Sequence, residues 1–577
     1  MTTETLQSST GQPARNVSPG LLALTIAAIV TTLLLTVNPA PNNDLFWQLR
    51  AGADILRTHQ APHIDTYSWT RAGTPWVAHE WLSFVLMALA YRGAGFFGVY
   101  LLMAVVLTAT LTGLFLLIRR SIDGNRPQSQ NAQLDYQNRA INDVAAFVLW
   151  ICALMICRAF FQPRPQIFTY LFMVAAMWLI LDARKQSTES ERRLWLLIPL
   201  CILWANLHAG VLIGVGVLAA FTVLDGVELF TNRKDSLPSR EGAGEGREAD
   251  RRRLKLFAIV TLWAAGTTLL TPYTYTVYQD FTATISNNTM VSMLGEWAST
   301  DFHAPFGHCI EIYLAVALCS MFFTHRRRRL ADIVILLILV HQALGAYRNA
   351  PLLAIIGTPL IAPHATSALE NIKLKSNVAA FALAILSIAL AVVYAVKTVH
   401  ASIIPPGPLP ARVALTTIDY DGYPAKACEF IERERIPAGM RMYNIYGQGG
   451  FLIWRLPDHP VFIDGRADIY FGQHLDDVSR MQGLPYDWRS TLDKNGVDLI
   501  VSSAADPQAR LFLGAPDWAL VYADSPLLKD AFDPAGPVDS LIFIRRSPAY
   551  SDMIAQCRRD CPTLAELTNL REYPATW

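Results

Sequence analysis

Apolar residues along this chain come in long blocks separated by short polar or basic stretches. In order the blocks run 20–38, 95–118, 143–160, 166–183, 194–207, 210–228, 254–271, 308–324, 330–346, 350–363 and 377–397. Most match the roughly 20 residues a helix needs to cross about 30 Å of hydrocarbon. Within lipid only a helix satisfies all of its own backbone hydrogen bonds. The pattern predicts an α-helical polytopic membrane protein with about eleven transmembrane helices. The tight pair meeting at His208 and the short, proline-containing block 350–363 depart most from an ideal span.

Composition agrees, since 52% hydrophobic and 16% charged residues are too apolar a balance for an ordinary soluble chain. The charges also set orientation. Arg119 and Arg120, Arg184 and Lys185, Arg192 and Arg193, 251–253, 326–329, and Lys373 with Lys375 occupy alternate gaps between blocks. Basic loops stay cytoplasmic, so the N-terminus is expected in the cytoplasm and the C-terminal region outside. A net charge of +1 leaves no basic patch for nucleic acid once those loops are assigned. The first block exceeds a signal-peptide core, and Asn38-Pro39-Ala40 is a poor cleavage site, so it reads as a span.

Four regions follow. Residues 1–19 are polar and read as a disordered cytoplasmic tail, and 20–397 form the membrane domain. Loops 121–142 and 231–253 read as flexible cytoplasmic linkers. The first external loop, 39–94, holds two amphipathic stretches, Leu45 to Thr58 and Glu80 to Tyr91, expected to lie as helices on the outer membrane surface. Residues 398–410, with Pro405, Pro406, Pro408 and Pro410, read as a stiff linker. Beyond it, 411–577 read as a soluble extracytoplasmic α/β domain, with strand-like runs at Val461 to Ile463, Val497 to Ser502, Trp518 to Tyr522 and Ser540 to Ile544. Cys557 and Cys561 flank a charged turn on the side expected to be oxidising, where a disulfide between them is one reading. Cys152, Cys157, Cys201, Cys309 and Cys319 fall in or beside spans and read as apolar filler.

Ionisable residues beside a membrane are costly to desolvate and so are worth a functional hypothesis. Asp44 follows the first span and has two readings, a helix N-cap or a general base. Asp65, His79 and Glu80 share its loop; Glu80 caps the second surface helix, or these groups supply acid–base or metal chemistry. Arg158, Arg164 and Arg348 fall at outer span ends, where a guanidinium snorkels to lipid headgroups or grips a phosphate in a bidentate fork. His208 is either a packed histidine or a cavity group. Tyr446-Gly447-Gln448-Gly449-Gly450 lacks the Lys and Ser or Thr of a phosphate loop and reads as a turn. Asp464, Arg466 and Asp468 alternate on an extended segment and read as a structural ion pair.

The order of first span, Asp44, surface helix, Asp65 turn, Trp76 to Leu82 and second surface helix resembles the first external loop of GT-C glycosyltransferases. The text Asp44-Leu45-Phe46-Trp47-Gln48-Leu49 resembles the Asp-Leu-Trp-Trp-His-Leu of a set of bacterial membrane proteins. The resemblance extends to Arg164-Pro165-Gln166-Ile167-Phe168-Thr169-Tyr170, Trp204-Ala205-Asn206-Leu207-His208-Ala209-Gly210, Thr271-Pro272-Tyr273, Glu296-Trp297 and the segment from Val461 to Asp468.

It implies a bacterial inner-membrane protein that passes a sugar from a polyprenyl-phosphate carrier to an acceptor outside, with Asp44 at the position of the catalytic base. It also places Gln166, Glu296 and Asp301 among substrate contacts, beside a solvated acidic loop as the other reading of the last two. The chain departs from some relatives, with Asp44-Leu45 for an Asp-Glu pair and Ala78-His79-Glu80 where they carry Lys-Pro-Pro. No ligand set has diagnostic metal spacing, so a divalent ion stays open, as do donor and acceptor. Two other readings stay open too: a transporter or flippase for a lipid-linked saccharide, and a non-catalytic assembly or binding protein.

Overall fold

The computed structural model describes residues 18–36, 42–123, 132–185, 187–231, 243–279, 295–369, 376–403, 423–470, 488–503, 506–524 and 540–561, with 282, 478 and 481 as isolated positions. The tail 1–17, Asp280, Lys373, Lys375 and the four linker prolines lie outside these residues.

Helix α1 (Pro19–Leu35) starts where Ser18 accepts a hydrogen bond from Leu21 N and Pro19 takes the first helical position. The chain then forms α2 (Asn43–Thr58), α3 (Trp81–Asp123), α4 (Ala132–Arg158), α5 (Gln166–Ala183), α6 (Thr188–Leu194), α7 (Leu197–Leu207), α8 (Val211–Thr231) and α9 (Ala243–Thr267). Helices α10 (Pro305–Phe323) and α11 (Leu330–Gly345) follow. A helical turn Ala350–Leu352 and a π turn Leu353–Gly357 then lead into α12 (Thr358–Ala368), and α13 (Ser376–Ile403) returns to pack along α1.

Among the described residues six helices are long and apolar enough to cross a bilayer: α3, α5, α8, α10 and the apolar parts of α4 and α13; α1 and α11 are shorter apolar helices. Length and composition alone thus do not reproduce the expected count of about eleven. Block 194–207 narrows to the 11 residues of α7, and 350–363 is broken by its π turn. Pro351, Pro359 and Pro363 remove backbone donors there. The second surface helix and the second span form one continuous element, α3, bent where Ala94 and Gly95 leave helical geometry. Gly95 has φ +59°, a conformation that favours glycine.

Arginines read from sequence as loop charges also tie the helices together at one end. Arg119 pairs with Asp143, Arg120 grips Asp182 through two bonds of 2.7 Å, and Arg184 holds both Asp225 (2.9 Å) and Asp332 (2.7 Å).

The C-terminal unit comprises α14 (Ala425–Arg433), β1 (Met442–Asn444), α15 (Tyr446–Arg455), α16 (Trp488–Lys494), β2 (Leu499–Ser503), α17 (Pro507–Leu513), β3 (Trp518–Ala523), β4 (Ser540–Arg545) and α18 (Ser551–Arg559). The strands form a small mixed sheet in the order β1-β2-β4-β3, with β1 parallel to β2 and the other pairs antiparallel. Three of the four expected strand runs are strands. Val461 to Ile463 is not: its backbone partners lie in the loop between α2 and α3, where Trp69 N donates to Val461 O (3.1 Å) and Val461 N to Tyr67 O (3.0 Å). β1 was not evident in the sequence. The glycine-rich stretch read as a turn is the first turn of α15, and Gly450 lets that helix approach Asn43 and Trp47 of α2. Cys557 and Cys561 are both buried, with no disulfide between them.

Candidate active site

Asp44 is the second residue of α2, and Asn42 holds the N-cap, its side chain accepting from Asp44 N at 2.8 Å. The cap reading of Asp44 is therefore corrected: Asn42 does the capping and the Asp44 carboxylate is free to face inward. Asn42 in turn donates to Gln162 Oε1 (2.6 Å) in the turn between α4 and α5. That turn carries Arg164, whose Nη2 lies 2.5 Å from Asp44 Oδ2 and whose Nη1 lies 2.8 Å from Glu296 Oε2. Arg348 holds the other oxygen of Glu296 at 2.9 Å and lies over the Trp297 ring. Trp47, one helical turn from Asp44, donates to its Oδ1 at 3.2 Å. Four groups from separate parts of the sequence thus form one alternating chain: Asp44, Arg164, Glu296, Arg348. Burial pushes the Asp44 carboxyl upward from its ordinary range, and Arg164 opposes that shift.

Beside it lies a second acid–base pair. His208, just past the end of α7, places Nε2 3.2 Å from Glu80 Oε1. Its Nδ1 accepts from Gly210 N (2.8 Å) and lies 2.8 Å from Thr169 Oγ1, which itself accepts from Trp204 Nε1 (2.9 Å). A ring nitrogen that accepts a backbone N–H carries no proton of its own, so neutral His208 keeps its hydrogen on Nε2, directed at Glu80. Burial drives His208 down to about 3 and Glu80 up to about 7, the latter opposed by His79 and reinforced by Asp44 and Asp468. His79 Nε2 lies 3.8 Å from Glu80 Oε1, beyond hydrogen-bond reach.

Most residues of the segment from Trp204 to Gly210 thereby have a structural role. Asn206 accepts from Trp81 Nε1 (2.9 Å), Leu207 O from Ser83 Oγ (2.6 Å), and a Cβ on Gly210 would collide with Thr169 and His208. These bonds fix the start of α3, and with it Glu80, against the α7–α8 hairpin.

The C-terminal unit closes the site from above. Gly465 lies so near Asp44 Oδ1 that a side chain there would collide with it. The loop around Gly465 is held by Arg466, fully buried between Asp464 (2.6 Å) and Asp65 (2.7 Å) and lying over the rings of Tyr67 and Trp76. Asp65 also accepts from the Tyr67 and Ser68 amides and the Ser68 hydroxyl. Both of its oxygens are thus engaged within the protein. The expected ion pair of Asp464 and Arg466 is present, with Asp65 as its third member. Asp468, pushed upward by burial, lies near enough to Glu80 to repel it.

Other expected site residues do not join this chain of ion pairs. Arg158 lies over Tyr394 (4.4 Å to the ring centre) and has no carboxylate partner among the described residues. Asp301 is exposed and accepts from His303 N. Gln166 is half-buried at the first position of α5. Among the described residues no group of three His, Cys, Asp or Glu is arranged to hold a metal ion. Sequence reasoning missed Asn42, Gln162, Thr169 and Gly465, whose roles arise only from contacts between distant segments.

Glu80→Gln tests the environment of the second pair. The introduced amide still offers an acceptor to His208 but does not titrate. In the unfolded chain Glu80 ionises near 4.5, and in the folded protein only near 7. The wild type therefore loses stability relative to the variant as pH rises through that window. The variant's advantage levels off above pH 7 at about 3 kcal/mol. Thermal unfolding in detergent between pH 5 and 8 measures it; parallel curves would exclude a buried, titrating Glu80.

No protein-family model matches the chain, and no curated protein matches it. Among solved structures the chain is similar to the oligosaccharyltransferase of Archaeoglobus fulgidus in its apo form, at 12% identity and TM-score 0.50, covering 84% of this chain and 70% of that one. It also aligns with ArnT from Cupriavidus metallidurans bound to undecaprenyl phosphate, at 13% identity, TM-score 0.47 and coverage of 91% and 97%. The apo form of ArnT gives 12% identity, TM-score 0.45 and the same coverage. With that oligosaccharyltransferase the chain shares a fold of several apolar helices, and it carries a small mixed sheet at its C-terminus. At these identities the likeness is one of fold.

Proposed function

We propose that this protein is a membrane glycosyltransferase that moves a sugar from a polyprenyl-phosphate-linked donor to an acceptor on the extracytoplasmic face of a bacterial inner membrane. The observation that carries the reading is the Arg164 fork, which holds Asp44 and Glu296 at once with Arg348 behind. A base and two cations are then gathered at one place, at the opposite end of the helices from the Arg119, Arg120 and Arg184 pairs. By the positive-inside argument that place is extracytoplasmic, with the N-terminus inside and residues 411–577 outside.

In this reading a lipid-linked phosphate competes with Glu296 and Asp44 for the two guanidinium groups. Arg164 Nε, buried and without a hydrogen-bond partner, has a donor to spare. Displacement from Arg164 leaves the Asp44 carboxylate beside the acceptor hydroxyl. Asp44 takes the hydroxyl proton as the acceptor oxygen bonds to the anomeric carbon. The bond from that carbon to the phosphate oxygen breaks, and its electron pair leaves with the lipid phosphate, neutralised by Arg164 and Arg348. Glu80, ionising near 7 and steadied by His208, is the second proton-handling group of the site.

The test is transfer by the full chain in proteoliposomes, offered radiolabelled sugars on polyprenyl monophosphate, polyprenyl diphosphate and nucleotide carriers. Transfer from a polyprenyl carrier alone is expected, and Arg348→Gln should raise KM for it about tenfold through loss of one charge-assisted contact. Absence of both transfer and polyprenyl-phosphate binding would overturn the reading.

A further inference from the structure

A groove of about 600 Å³ lies between α2 and the first, surface-lying part of α3, with Trp454 of α15 at its edge. Leu49, Leu56 and Ala88 give it an apolar floor, and Arg50, Arg57 and Arg92 contribute three guanidinium groups. Among the described residues the carboxylate paired with them is Asp54, which accepts from Arg50 Nε (2.8 Å) and Arg57 Nη2 (3.1 Å), and its Oδ2 also takes the Tyr67 hydroxyl (2.9 Å). Three cations against one carboxylate leave two positive charges uncompensated. Arg92 has no carboxylate partner among the described residues.

The position of the groove identifies what meets it. It opens where α3 bends at Ala94 and Gly95 from the surface into the span. Leu89, Phe97 and Leu101, each about half exposed, run from that edge down the span. Tyr91 and Trp454, with ring centres 6.1 Å apart, flank the opening, as aromatic residues do at headgroup depth. Arginine stems lying on apolar surface are ordinary snorkelling. A groove with an apolar floor and surplus positive charge goes further, because it matches an amphiphile with a phosphate at one end. At 100° per residue the groove residues of α2 lie on the side opposite Asp44, so the site is separate from the one proposed for sugar transfer.

We infer that this groove binds the headgroup of an anionic phosphodiester lipid of the outer leaflet. Arg57 and Arg92 take the phosphate oxygens, and the glycerol and first acyl carbons lie on Leu49, Leu56 and Ala88. Such a lipid braces α2, the helix that carries Asp44, against α3.

Photo-crosslinking of the full chain in phosphatidylcholine nanodiscs containing a photoactivatable phosphatidylglycerol, mapped by peptide mass spectrometry, tests this. Adducts are expected on peptides bearing Leu56, Tyr91 or Trp454, and unlabelled phosphatidylglycerol should compete them away. In Arg57→Gln/Arg92→Gln the yield there should fall on the order of tenfold or more. Both positions are exposed, so the fold tolerates the change, and adducts near 326–329 should be unaltered as an internal control. Unchanged yield in the double variant, equal labelling by a phosphatidylcholine probe, or full competition by inorganic phosphate would each overturn the inference, the last by making the groove a free-phosphate site.

Discussion

Asp44→Asn is expected to lower sugar transfer on the order of 10²–10⁴-fold while leaving binding of the lipid phosphate intact or tighter. The asparagine keeps the shape of the side chain and its hydrogen bond from Trp47, but it accepts no proton from an acceptor hydroxyl. It also releases Arg164 from one of its two carboxylates, which gives an incoming phosphate a freer guanidinium. The loss should therefore appear in kcat and not as a weaker Kd for polyprenyl phosphate. Equal kcat in wild type and variant would remove Asp44 as the base. Equal kcat with normal Arg348→Gln behaviour would move that role to Glu80.

Arg466→Met is expected to destabilise the protein by about 3–5 kcal/mol, because it strands two carboxylates, Asp65 and Asp464, in a fully buried place. The triad joins the loop between α2 and α3 to the C-terminal unit, so the damage should show as proteolysis within both segments and as an earlier thermal transition in detergent. Neutralising the stranded groups in Asp65→Asn/Asp464→Asn/Arg466→Met should recover a large part of the loss. A single variant as stable as wild type would mean that water reaches the triad and that the clamp on Gly465 is weak. Activity should fall with stability in the single variant, since Gly465 rests against Asp44.

Much of the fold was readable because lipid imposes a severe rule: long apolar blocks, basic residues in alternate gaps, and amphipathic stretches where a helix lies flat. Errors came where that rule is relaxed. The block 350–363 is surrounded by other helices, so its prolines and π turn are tolerated there. The run from Val461 to Ile463 has a strand's composition, yet its partner is a loop almost 400 residues earlier in the chain. The short motifs quoted from the sequence mostly turn out to be joints. Tyr273 donates to Pro62 O (2.7 Å), Trp297 lies under Arg348, and the Gly210 amide sets the tautomer of His208.

The candidate site was legible as a set of residue types: Asp44, Arg164 and Arg348 were named from their expected places beside span ends, and Glu296 from the resemblance. Their pairing was not legible, nor was the exclusion of Asp65, Asp301 and Arg158 from it. Hydropathy and charge act locally, and each segment carries them in its own composition, which is why the sequence by itself determined a bundle of membrane helices, an amphipathic first loop and a C-terminal unit of different character. Pairing of charges is set by distances between segments that share no local signal. Only the packed structure decided that Asn42 caps α2 and so frees Asp44, that His208 directs a proton at Glu80, and that Gly465 closes over the carboxylate.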